Sequence, residues 1–440
     1  MHTLNKTQTK GLNFWMLTAL VTGMMIGSGI FTLPANLAAF GSISLLAWGL
    51  TATGAILLAL IFAELSLLIP KTGGPYAYCH LAFGDFIGFQ IAYNYWFALW
   101  TGNAAIVVTC VGYIAAFFPT LQQNPWAAFA IKVGIIWFMT GINLLGTRNA
   151  SILQIITTIL KIIPLLLVGL VGLAFIHPEH YHAFNVSNQS NLSALGTTAT
   201  LTLWSFLGLE AATVPADDVP HKSMIAQATI AGTLIAATID ILCIVVLMGI
   251  MPLSTLAHST APFVDAVKIL FPAHQQGMAY LIALGAIISC IGTLNSSILL
   301  QGQIPKAAAM DGLFPAYFAK SNQSNTPVVS LIFSSLLITL LLLLTINSQL
   351  LQQFQLLILM ATFASLIPYL FTTWSAMVLF KKNKKIILLA IPASGYALWA
   401  LISTGTTVIL YGLLFCLSGT ILYYGRRYLF GEIPAKNMRG

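Results

Sequence analysis

The chain has 440 residues, of which 58% are apolar and only 6% are charged, and its formal net charge is +8. A soluble domain carries about 25% charged residues because its surface faces water, so this composition excludes a soluble globule and indicates a lipid-embedded protein. No basic run interleaved with aromatic residues lies in a soluble segment, which argues against nucleic-acid binding. The five cysteines have the spacing of neither a disulfide framework nor a zinc site.

Twelve apolar stretches follow one another along the chain, separated by polar or turn-rich breaks. An apolar run of about 20 residues is long enough to cross the hydrocarbon core of a bilayer as a helix. The longest connections are residues 177–195 and 252–275, which leave no room for a soluble catalytic or nucleotide-binding domain. The predicted transmembrane helices cover residues 14–38, 43–69, 86–118, 126–146, 151–176, 196–216, 225–251, 276–301, 327–346, 354–380, 386–404 and 407–425.

The basic residues predict the orientation of these helices, since positive charge concentrates in the cytoplasmic connections of membrane proteins. With the N-terminus in the cytoplasm, 15 of the 18 basic residues fall in even-numbered connections or in the termini. We therefore predict a multi-pass protein of the bacterial inner (plasma) membrane with both termini cytoplasmic. The inward basic residues are Lys6, Lys10, Lys71, Arg148, Lys222, Lys306, Lys320, Lys381, Lys382, Lys384, Lys385, Arg426, Arg427, Lys436 and Arg439.

Five charged residues fall within the predicted helices, where an ionised group costs about 2.5 kcal/mol or more at the centre. Lys161, ten residues into helix 5, favours a functional or core-bracing role, and Glu210 favours a gating or proton-linked one. Asp240 leaves a packing hydrogen bond and a functional pair equally open. Near the helix ends, Glu64 favours a structural anchor, and Lys132 favours a side chain that extends to the outer interface.

Predicted helix 1 contains three glycines and a serine within the segment 23–29, which weakens a helix in mid-membrane. An unwound turn there frees backbone groups that lipid cannot satisfy, so the break must face protein or a cavity. Freed N–H groups at the start of a half-helix attract a carboxylate, and freed carbonyls attract an ammonium, which together suit an α-amino acid. Close helix packing through small residues explains the same pattern equally well.

Predicted helix 6 has a similar interruption around Gly208, between Trp204 and Glu210. Interrupted segments at corresponding places in two halves indicate the binding site of an inverted-repeat transporter. Because each half has five helices, the halves have opposite topology. The predicted organisation is a cytoplasmic tail (1–13), a first repeat (14–176), a second repeat (196–380), helices 11 and 12 (386–425) and a second cytoplasmic tail (426–440).

Four motifs in order along the chain resemble those of one family, the amino acid–polyamine–organocation transporters. The match extends over nearly the whole chain and is nearest to the bacterial basic amino acid and polyamine antiporters of the arginine/agmatine type. The resemblance implies an all-α fold like that of the leucine transporter, with a 5+5 inverted repeat and alternating access. The motifs are Gly27–Phe31 with Leu33–Asn36, Ala63–Ser66 with Pro70 and Gly73–Tyr78, Leu203–Glu210, and Lys306–Pro315.

The resemblance also implies roles for individual residues. Residues 26–29 would hold the substrate carboxylate, and Trp204 would stack on the substrate side chain, a cation–π contact if that chain is cationic. Ser205 and Leu207 would offer backbone groups to the α-amino end. The implied substrate-binding residues are Ile26, Gly27, Ser28, Gly29, Tyr95, Asn103, Trp204, Ser205, Leu207, Ser297 and Ala361, and the implied gating or proton-linked residues are Tyr95 (extracellular gate), Trp204, Glu210 (intracellular gate and pH response) and Lys161.

The sequence departs from the arginine/agmatine members at four positions. Met24 replaces an asparagine, Ser297 a substrate-contacting tryptophan and Ala361 a serine, so three side chains that would grip or gate a guanidinium substrate are absent. Lys161 stands where those members have a small apolar residue. Other permeases of the superfamily have a lysine there, in place of a sodium ion, which argues against sodium coupling and against a permanently dicationic substrate.

We predict a secondary active transporter of amino acids, in exchange for an amino acid or its decarboxylated amine or linked to protons. The alternatives are a polyamine or organic cation transporter of the same fold and a non-transporting nutrient sensor. The sequence has no P-loop, no His-Glu-x-x-His and no nucleophile elbow, so we predict no enzyme, cofactor or metal site. We interpret the histidine-containing stretch 177–182 as an exposed loop. The predicted partners are a small-molecule substrate, the lipid bilayer and, as an open option, a second copy of the chain.

Overall fold

The structure is a computed structural model that describes residues 11–259, 261–347 and 351–430. Over these ranges the chain is helical, with turns between the helices and no β-strand. The predicted inward lysines Lys6, Lys10 and Lys436 and the predicted inward Arg439 lie outside the described residues.

Seventeen α-helices occupy the described residues, joined by short 3-10 turns. They are α1 Phe14–Met25, α2 Gly29–Ala38, α3 Ile43–Leu68, α4 Pro75–Phe83, α5 Asp85–Ile114, α6 Thr120–Gln123, α7 Pro125–Leu144, α8 Thr147–Gly172, α9 Asn191–Leu203, α10 Ser223–Ile250, α11 Leu253–Ala257, α12 Pro262–Leu270, α13 Gln275–Met310, α14 Val328–Leu343, α15 Leu351–Leu379, α16 Lys384–Ser403 and α17 Thr406–Phe430.

Ten helical segments in the described ranges are long and apolar enough to cross a membrane. Two shorter apolar helices, α1 and α14, accompany them. The prediction of an all-α protein with many membrane-spanning helices is therefore confirmed. Each of the twelve predicted helices coincides with a helical segment, but predicted helices 1 and 6 are each divided into pieces.

The connections contain short helices that the sequence analysis did not predict. In α12, the residues Phe263, Ala266, Val267 and Leu270 are buried at a helical spacing, so one face of this short helix is apolar. The ring of Phe263 packs against that of Phe31 on α2, with centroids 5.2 Å apart. The connection 252–275 therefore lies over the second piece of helix 1.

Glycines allow the helices around the first break to pack closely. A Cβ atom on Gly232 of α10 would lie 2.6 Å from the Cβ of Val21 on α1. A Cβ on Gly172 of α8 would lie 2.4 Å from Cγ1 of Val246 on α10. Because each glycine leaves room only for the valine side chain of the neighbouring helix, α1, α8 and α10 form one tight three-helix interface.

Two of the charged residues near helix ends have partners on neighbouring helices. Lys385 Nζ lies 2.5 Å from Glu64 Oε1, an ion pair that ties α16 to α3. Lys132 Nζ donates to Thr345 Oγ1 at 2.9 Å, next to the C-terminal end of α14. Both residues therefore link helices near their ends.

Candidate functional site

The first break comprises residues 26–28, between α1 and α2. The carbonyl groups that end α1 accept hydrogen bonds from α13, since Thr293 Oγ1 lies 3.0 Å from the Gly23 oxygen and 3.2 Å from the Ile26 oxygen. Ser289 Oγ lies 3.2 Å from the Ile26 oxygen and 3.1 Å from the Gly27 oxygen. The carbonyl side of this break is thus satisfied within the protein, as a break at membrane depth requires.

Lys161 completes the support of the first break. Its side chain is fully buried, and Nζ donates to the carbonyl oxygens of Gly23 at 2.7 Å and Ile26 at 2.5 Å. An ammonium group therefore binds the end of α1, and it belongs to the protein itself. On the other side of the break, Gly29 begins the ten-residue helix α2, whose dipole favours an anion near its start.

The second break comprises residues 204–208 and begins where α9 ends at Leu203. Residues Trp204–Phe206 form a 3-10 turn, Leu207 is extended, and Gly208 has a φ of +105°, which favours glycine. A Cβ on Gly208 would also lie 2.1 Å from Cγ of Met24. The two breaks therefore meet, and glycine is needed at 208 both for its backbone conformation and for the close approach of Met24.

Glu210 lies just after the second break and is buried. Its two carboxylate oxygens accept hydrogen bonds from the hydroxyl groups of Tyr95 on α5 and Tyr369 on α15. The Tyr369 hydroxyl also accepts a bond from the Gly208 N–H at 2.9 Å. The residues assigned by resemblance to an extracellular gate (Tyr95) and to an intracellular gate (Glu210) thus belong to one hydrogen-bonded cluster.

A cavity lies between the two breaks, and eight of the predicted site residues line it. They are Gly27, Ser28, Gly29, Tyr95, Trp204, Leu207, Glu210 and Ser297. The Trp204 ring crosses the start of α2, because a Cβ on Gly29 would lie 3.0 Å from Trp204 Cδ1. The remainder of the lining comprises Met24, Met25, Ala98, Leu99, Gly102, Ile106, Gly208, Thr293, Ser365 and Tyr369.

Five predicted site residues lie behind the cavity wall. Lys161 and Ile26 meet in the hydrogen bond at the first break. Asn103 is fully buried, and its Nδ2 donates to Gln301 Oε1 at 2.8 Å. The structure therefore gives these three residues a role in supporting the wall.

The other two residues behind the wall are Ser205 and Ala361. The Ser205 hydroxyl is buried and has no hydrogen-bond partner among the described residues. Ala361 belongs to a small apolar cluster with Phe97, Ala98 and Ala364. Of this cluster, Ala98 reaches the cavity.

Sequence reasoning missed Tyr369, Ser365 and Thr293 at the cavity. Helical spacing could have pointed to Thr293 and Ser365, because each lies four residues from a position already singled out. Thr293 is one turn before Ser297, and Ser365 is one turn after Ala361. Tyr369 follows one turn later.

The cavity favours a cation. Within the described part of the chain, its lining contains one carboxylate, that of Glu210, and no lysine or arginine. The face of an indole ring such as that of Trp204 also attracts cations. The hydroxyl groups of Ser28, Thr293 and Ser297 add neutral hydrogen-bonding groups.

The histidine-containing loop 177–182 does not assemble a metal centre. Over the described residues, no group of three or more histidine, cysteine, aspartate or glutamate side chains could hold a metal ion. His180 Nδ1 lies 2.7 Å from the Gly249 carbonyl oxygen, and the Tyr181 hydroxyl donates to the Val245 carbonyl at 2.7 Å. This loop therefore packs onto the end of α10.

Two interrupted helices that meet at a cavity, within a chain of many membrane-spanning helices, define a membrane transporter. The model of the amino acid permease family matches residues 12–424. The chain belongs to this family. The predicted resemblance is thereby confirmed, as is the prediction of a transporter for amino acids or amines rather than an enzyme.

Several curated relatives match most of the chain. The putative arginine/ornithine antiporter of Bacillus subtilis is 33% identical, with 94% of this chain and 97% of the relative covered. The putrescine transporter PotE of Haemophilus influenzae is 34% identical, with 94% and 96% covered. The cadaverine/lysine antiporter of Escherichia coli is 32% identical over 77% of this chain and 76% of the relative.

Proposed function

We propose that this protein exchanges amino acids with a cationic side chain, or the diamines derived from them, across the bacterial inner membrane by alternating access. One observation carries the proposal. The cavity between the two breaks contains the Glu210 carboxylate, held by two tyrosine hydroxyls, together with the Trp204 ring. The names of the relatives, which include arginine, ornithine, lysine, putrescine and cadaverine, agree with a cationic substrate.

The two ends of the cavity suit the two ends of such a substrate. The dipole of α2 would favour the substrate carboxylate near the start of that helix, next to the Ser28 hydroxyl. Glu210 and Trp204 offer a negative charge and a π-face to an ammonium group. Ser205 and Leu207, at the start of the second break, would offer backbone groups to the α-amino end.

We further propose that the protein prefers a primary ammonium over a guanidinium. Arginine-type recognition relies on planar, bidentate hydrogen bonding. Met24 and Ser297 line the cavity where the arginine/agmatine members have an asparagine and a tryptophan, and Ala361 provides only a methyl group behind it. The side-chain ammonium of ornithine or lysine is a compact point charge that does not need a planar pair of acceptors, and Glu210 would supply its counter-charge.

The second candidate function is the transport of diamines, and the position of Lys161 is compatible with it. A lysine at the site would repel a dicationic substrate if its ammonium faced the cavity. Lys161 instead directs its ammonium to the carbonyls of Gly23 and Ile26 and does not line the cavity. A diamine would leave the carboxylate-binding start of α2 unused, so we expect it to bind more weakly than the amino acid.

We also propose twelve membrane crossings, with both termini cytoplasmic and α1–α8 and α9–α15 as two inverted repeats. The two breaks, each in the first crossing of its half, support this arrangement. Accessibility of single cysteines to a membrane-impermeant reagent tests it. Lys382→Cys should react only from the cytoplasm and His258→Cys only from outside, and labelling of both from the same side would contradict the topology. Whether the protein forms a homodimer stays a prediction.

The experiment for transport uses proteoliposomes that contain the full chain. They are loaded with unlabelled ornithine, lysine, arginine, putrescine or cadaverine, and the uptake of labelled ornithine or lysine is measured. We expect uptake to require a loaded substrate, with ornithine, lysine and their diamines more effective than arginine. Absence of exchange with every cation would refute the function, and stronger exchange with arginine would refute the ammonium preference.

Glu210→Gln tests the observation on which the proposal depends. The amide keeps the shape, and its oxygen can accept the hydrogen bond from one of the two tyrosines, but its NH2 group cannot accept the other and the charge is removed. Because a hydrogen bond to a charged group contributes about 1.5–3 kcal/mol, we expect the affinity for ornithine to fall at least about tenfold. Ser365→Ala, which removes a neutral hydroxyl from the same cavity, is the matched control and should change the affinity far less.

A further inference from the structure

Asp240 lies in the middle of α10 and is 1% exposed. Neither of its carboxylate oxygens has a hydrogen-bond partner among the described residues. Burying an ionised carboxylate without hydrogen bonds costs far more than burying the neutral acid. This group contributes nothing to the cavity lining, so its place at membrane depth needs a separate explanation.

The packing of α8 against α10 places Asp240 beside Lys161. The Cys243 thiol lies 3.5 Å from the Leu165 carbonyl oxygen, and further along Gly172 faces Val246. The two helices therefore run in the same direction. One turn before this contact, α8 carries Lys161 and α10 carries Asp240, and both side chains are buried, so the packing of the two helices brings them next to each other.

In the described conformation, Lys161 directs its ammonium to the first break, where Gly23 and Ile26 accept it. Asp240 therefore faces a cation whose hydrogen bonds are made elsewhere. Opening of the break would separate those carbonyls from Lys161 and leave the ammonium without acceptors. The carboxyl group of Asp240, which has no hydrogen-bond partner among the described residues, is then available to accept from Lys161.

We propose that Asp240 is a proton-carrying counter-ion of Lys161. While Lys161 holds the first break closed, Asp240 is the neutral acid. When the break opens, the Asp240 O–H bond releases its proton to water, and the resulting carboxylate pairs with the Lys161 ammonium. Closing of the break returns the ammonium to the carbonyls, and Asp240 takes up a proton again.

A row of buried hydroxyl groups on α10 leads from Asp240 towards the N-terminal end of the helix. Thr233 lies two turns before Asp240 and Thr229 one turn earlier, about 10 Å and 16 Å along the axis. Both hydroxyls, and that of Thr18 on α1, are buried without a partner among the described residues. Buried hydroxyls of this kind are usual partners of ordered water, so they mark the route by which the proton leaves.

Besides Lys161 itself, two thiols are the ionisable groups nearest Asp240 within the described residues, and a thiol is a weaker acid than a carboxyl group. Cys243 is one turn along α10 from Asp240, and Cys290 of α13 faces Lys161. The described residues of α1 and α2 contain no ionisable side chain. The remaining elements against α10 present groups that are bonded elsewhere, namely Glu64, Glu179, His180, Tyr181, His258, Asp265 and Lys268.

The first test needs no transport, so its result is independent of the proposed exchange function. Infrared spectra of the purified full chain are recorded at neutral pH for wild type, Asp240→Asn and Glu210→Gln, and the spectra of the variants are compared with that of wild type. We expect the carbonyl band of a protonated carboxyl group to persist at neutral pH in wild type and Glu210→Gln, and to disappear in Asp240→Asn. A band that remains in Asp240→Asn, or that is absent from wild type, would overturn the proposal.

The second test measures the pH profile of exchange in proteoliposomes. Ionisation of one carboxyl group changes the protonated fraction by up to about tenfold per pH unit, so the wild-type rate should vary on this scale, whereas Asp240→Asn should lose that dependence. If the asparagine variant does not fold, Asp240→Leu, an uncharged side chain of similar size, replaces it. Thr238→Val, on the exposed face of the same helix, is the control and should keep the wild-type profile. An unchanged profile in the Asp240 variants would contradict the proposal.

Discussion

The two helix breaks form one site, but the protein supports them in opposite ways. At the first break, the carbonyl oxygens of Gly23 and Ile26 bind a fixed cation, Lys161, and the hydroxyls of α13. At the second, the N–H of Gly208 donates to the hydroxyl of Tyr369, which also holds Glu210. Each break is therefore satisfied by side chains from other helices.

The difference explains how one cavity can suit both ends of an amino acid. The first break has its carbonyls occupied and presents the start of α2, which favours an anion. The second break adds the carboxylate of Glu210, which favours a cation. Substitutions that remove one kind of support and spare the other should separate the roles of the two breaks.

The largest effect is expected for Lys161→Met, which removes the cation from the first break. Hydrogen bonds to a charged group contribute about 1.5–3 kcal/mol each, and Ser289 and Thr293 still reach the carbonyls, so we expect a loss of about 2–4 kcal/mol in unfolding free energy. Transport should be lost as well. Lys132→Met, which removes a single bond to Thr345, is the control and should cost much less. Unfolding of the purified variants in detergent measures both, and equal losses would contradict a special role for Lys161.

Gly208→Ala tests the second break by its backbone. The φ of +105° is strained for alanine, and the new Cβ would lie 2.8 Å from the Cβ of Met24 as well as 2.1 Å from its Cγ. We expect a loss of about 1–3 kcal/mol in unfolding free energy, with reduced exchange. Gly112→Ala, on α5, has nothing within 4 Å of the new methyl group and should leave stability equal or higher. A stable, active Gly208→Ala protein would show that the break tolerates a different geometry.

The local parts of this comparison could be predicted from the sequence. Clusters of small residues marked both positions in the sequence, because they weaken a membrane helix, although close helix packing explained the first cluster equally well. A buried charge is costly in any membrane helix, which drew attention to Glu210 and Lys161 before their partners were known. The apolar length of the helices likewise predicted an all-helical membrane protein.

The remaining parts depend on which helices meet, and no local pattern contains that information. Tyr369 lies in an apolar helix, and its bonds to Glu210 and Gly208 exist because α15 approaches the second break. Asn103, assigned to the substrate by resemblance, instead donates to Gln301 of α13. The carbonyls that Lys161 binds also could not be predicted, since they depend on the packing of α8 against α1.

Trp204 begins the second break, and its ring crosses the start of α2, next to the first break. Its substitution therefore tests whether both breaks contribute to substrate binding. Trp204→Ala removes a cation–π contact of about 0.5–2 kcal/mol, which corresponds to about a 2- to 30-fold rise in the KM for ornithine. Trp204→Phe keeps an aromatic face and should lose less. Exchange kinetics in proteoliposomes give both values. Normal transport by the alanine variant would refute the assignment of this residue to the substrate.

The smallest effect is expected for a cluster of three side chains outside the membrane-spanning helices, Lys71, His80 and Asp311. This cluster lies near the segment that follows the second break. The Gly73 N–H donates to the carbonyl of Val214, just after that break, at 3.0 Å. Nearby, Asp311 forms an ion pair with Lys71 at 2.7 Å, and His80 Nδ1 lies 3.4 Å from the same carboxylate. The segment that leads into α4 therefore ties the second break to the end of α13.

Titration of His80 should make this tie depend on pH. The hydrogen bond with Asp311 raises the pKa of His80 above its usual value of 6.5, against the opposing effect of burial. For Asp311, burial alone would raise the pKa, but hydrogen bonds from His80, Lys71 and Tyr76 outweigh it and hold that pKa well below its usual range. The stabilisation by His80 is thus complete below about pH 6.5 and is lost as the pH rises through its raised pKa, whereas that by Asp311 is lost only in strong acid.

His80→Asn is therefore expected to lower the unfolding temperature at pH 6 and to have a smaller effect at pH 9, where less of the wild-type imidazole is protonated. Because the group is partly exposed, the contribution should not exceed about 1 kcal/mol. His258→Asn is the control, because this exposed histidine at the end of α11 bonds to the carbonyl of Ser254 one turn earlier. Thermal unfolding across pH gives the comparison, and a larger effect of His80→Asn at pH 9 than at pH 6 would show that its neutral form, and not the ion pair with Asp311, supports the second break.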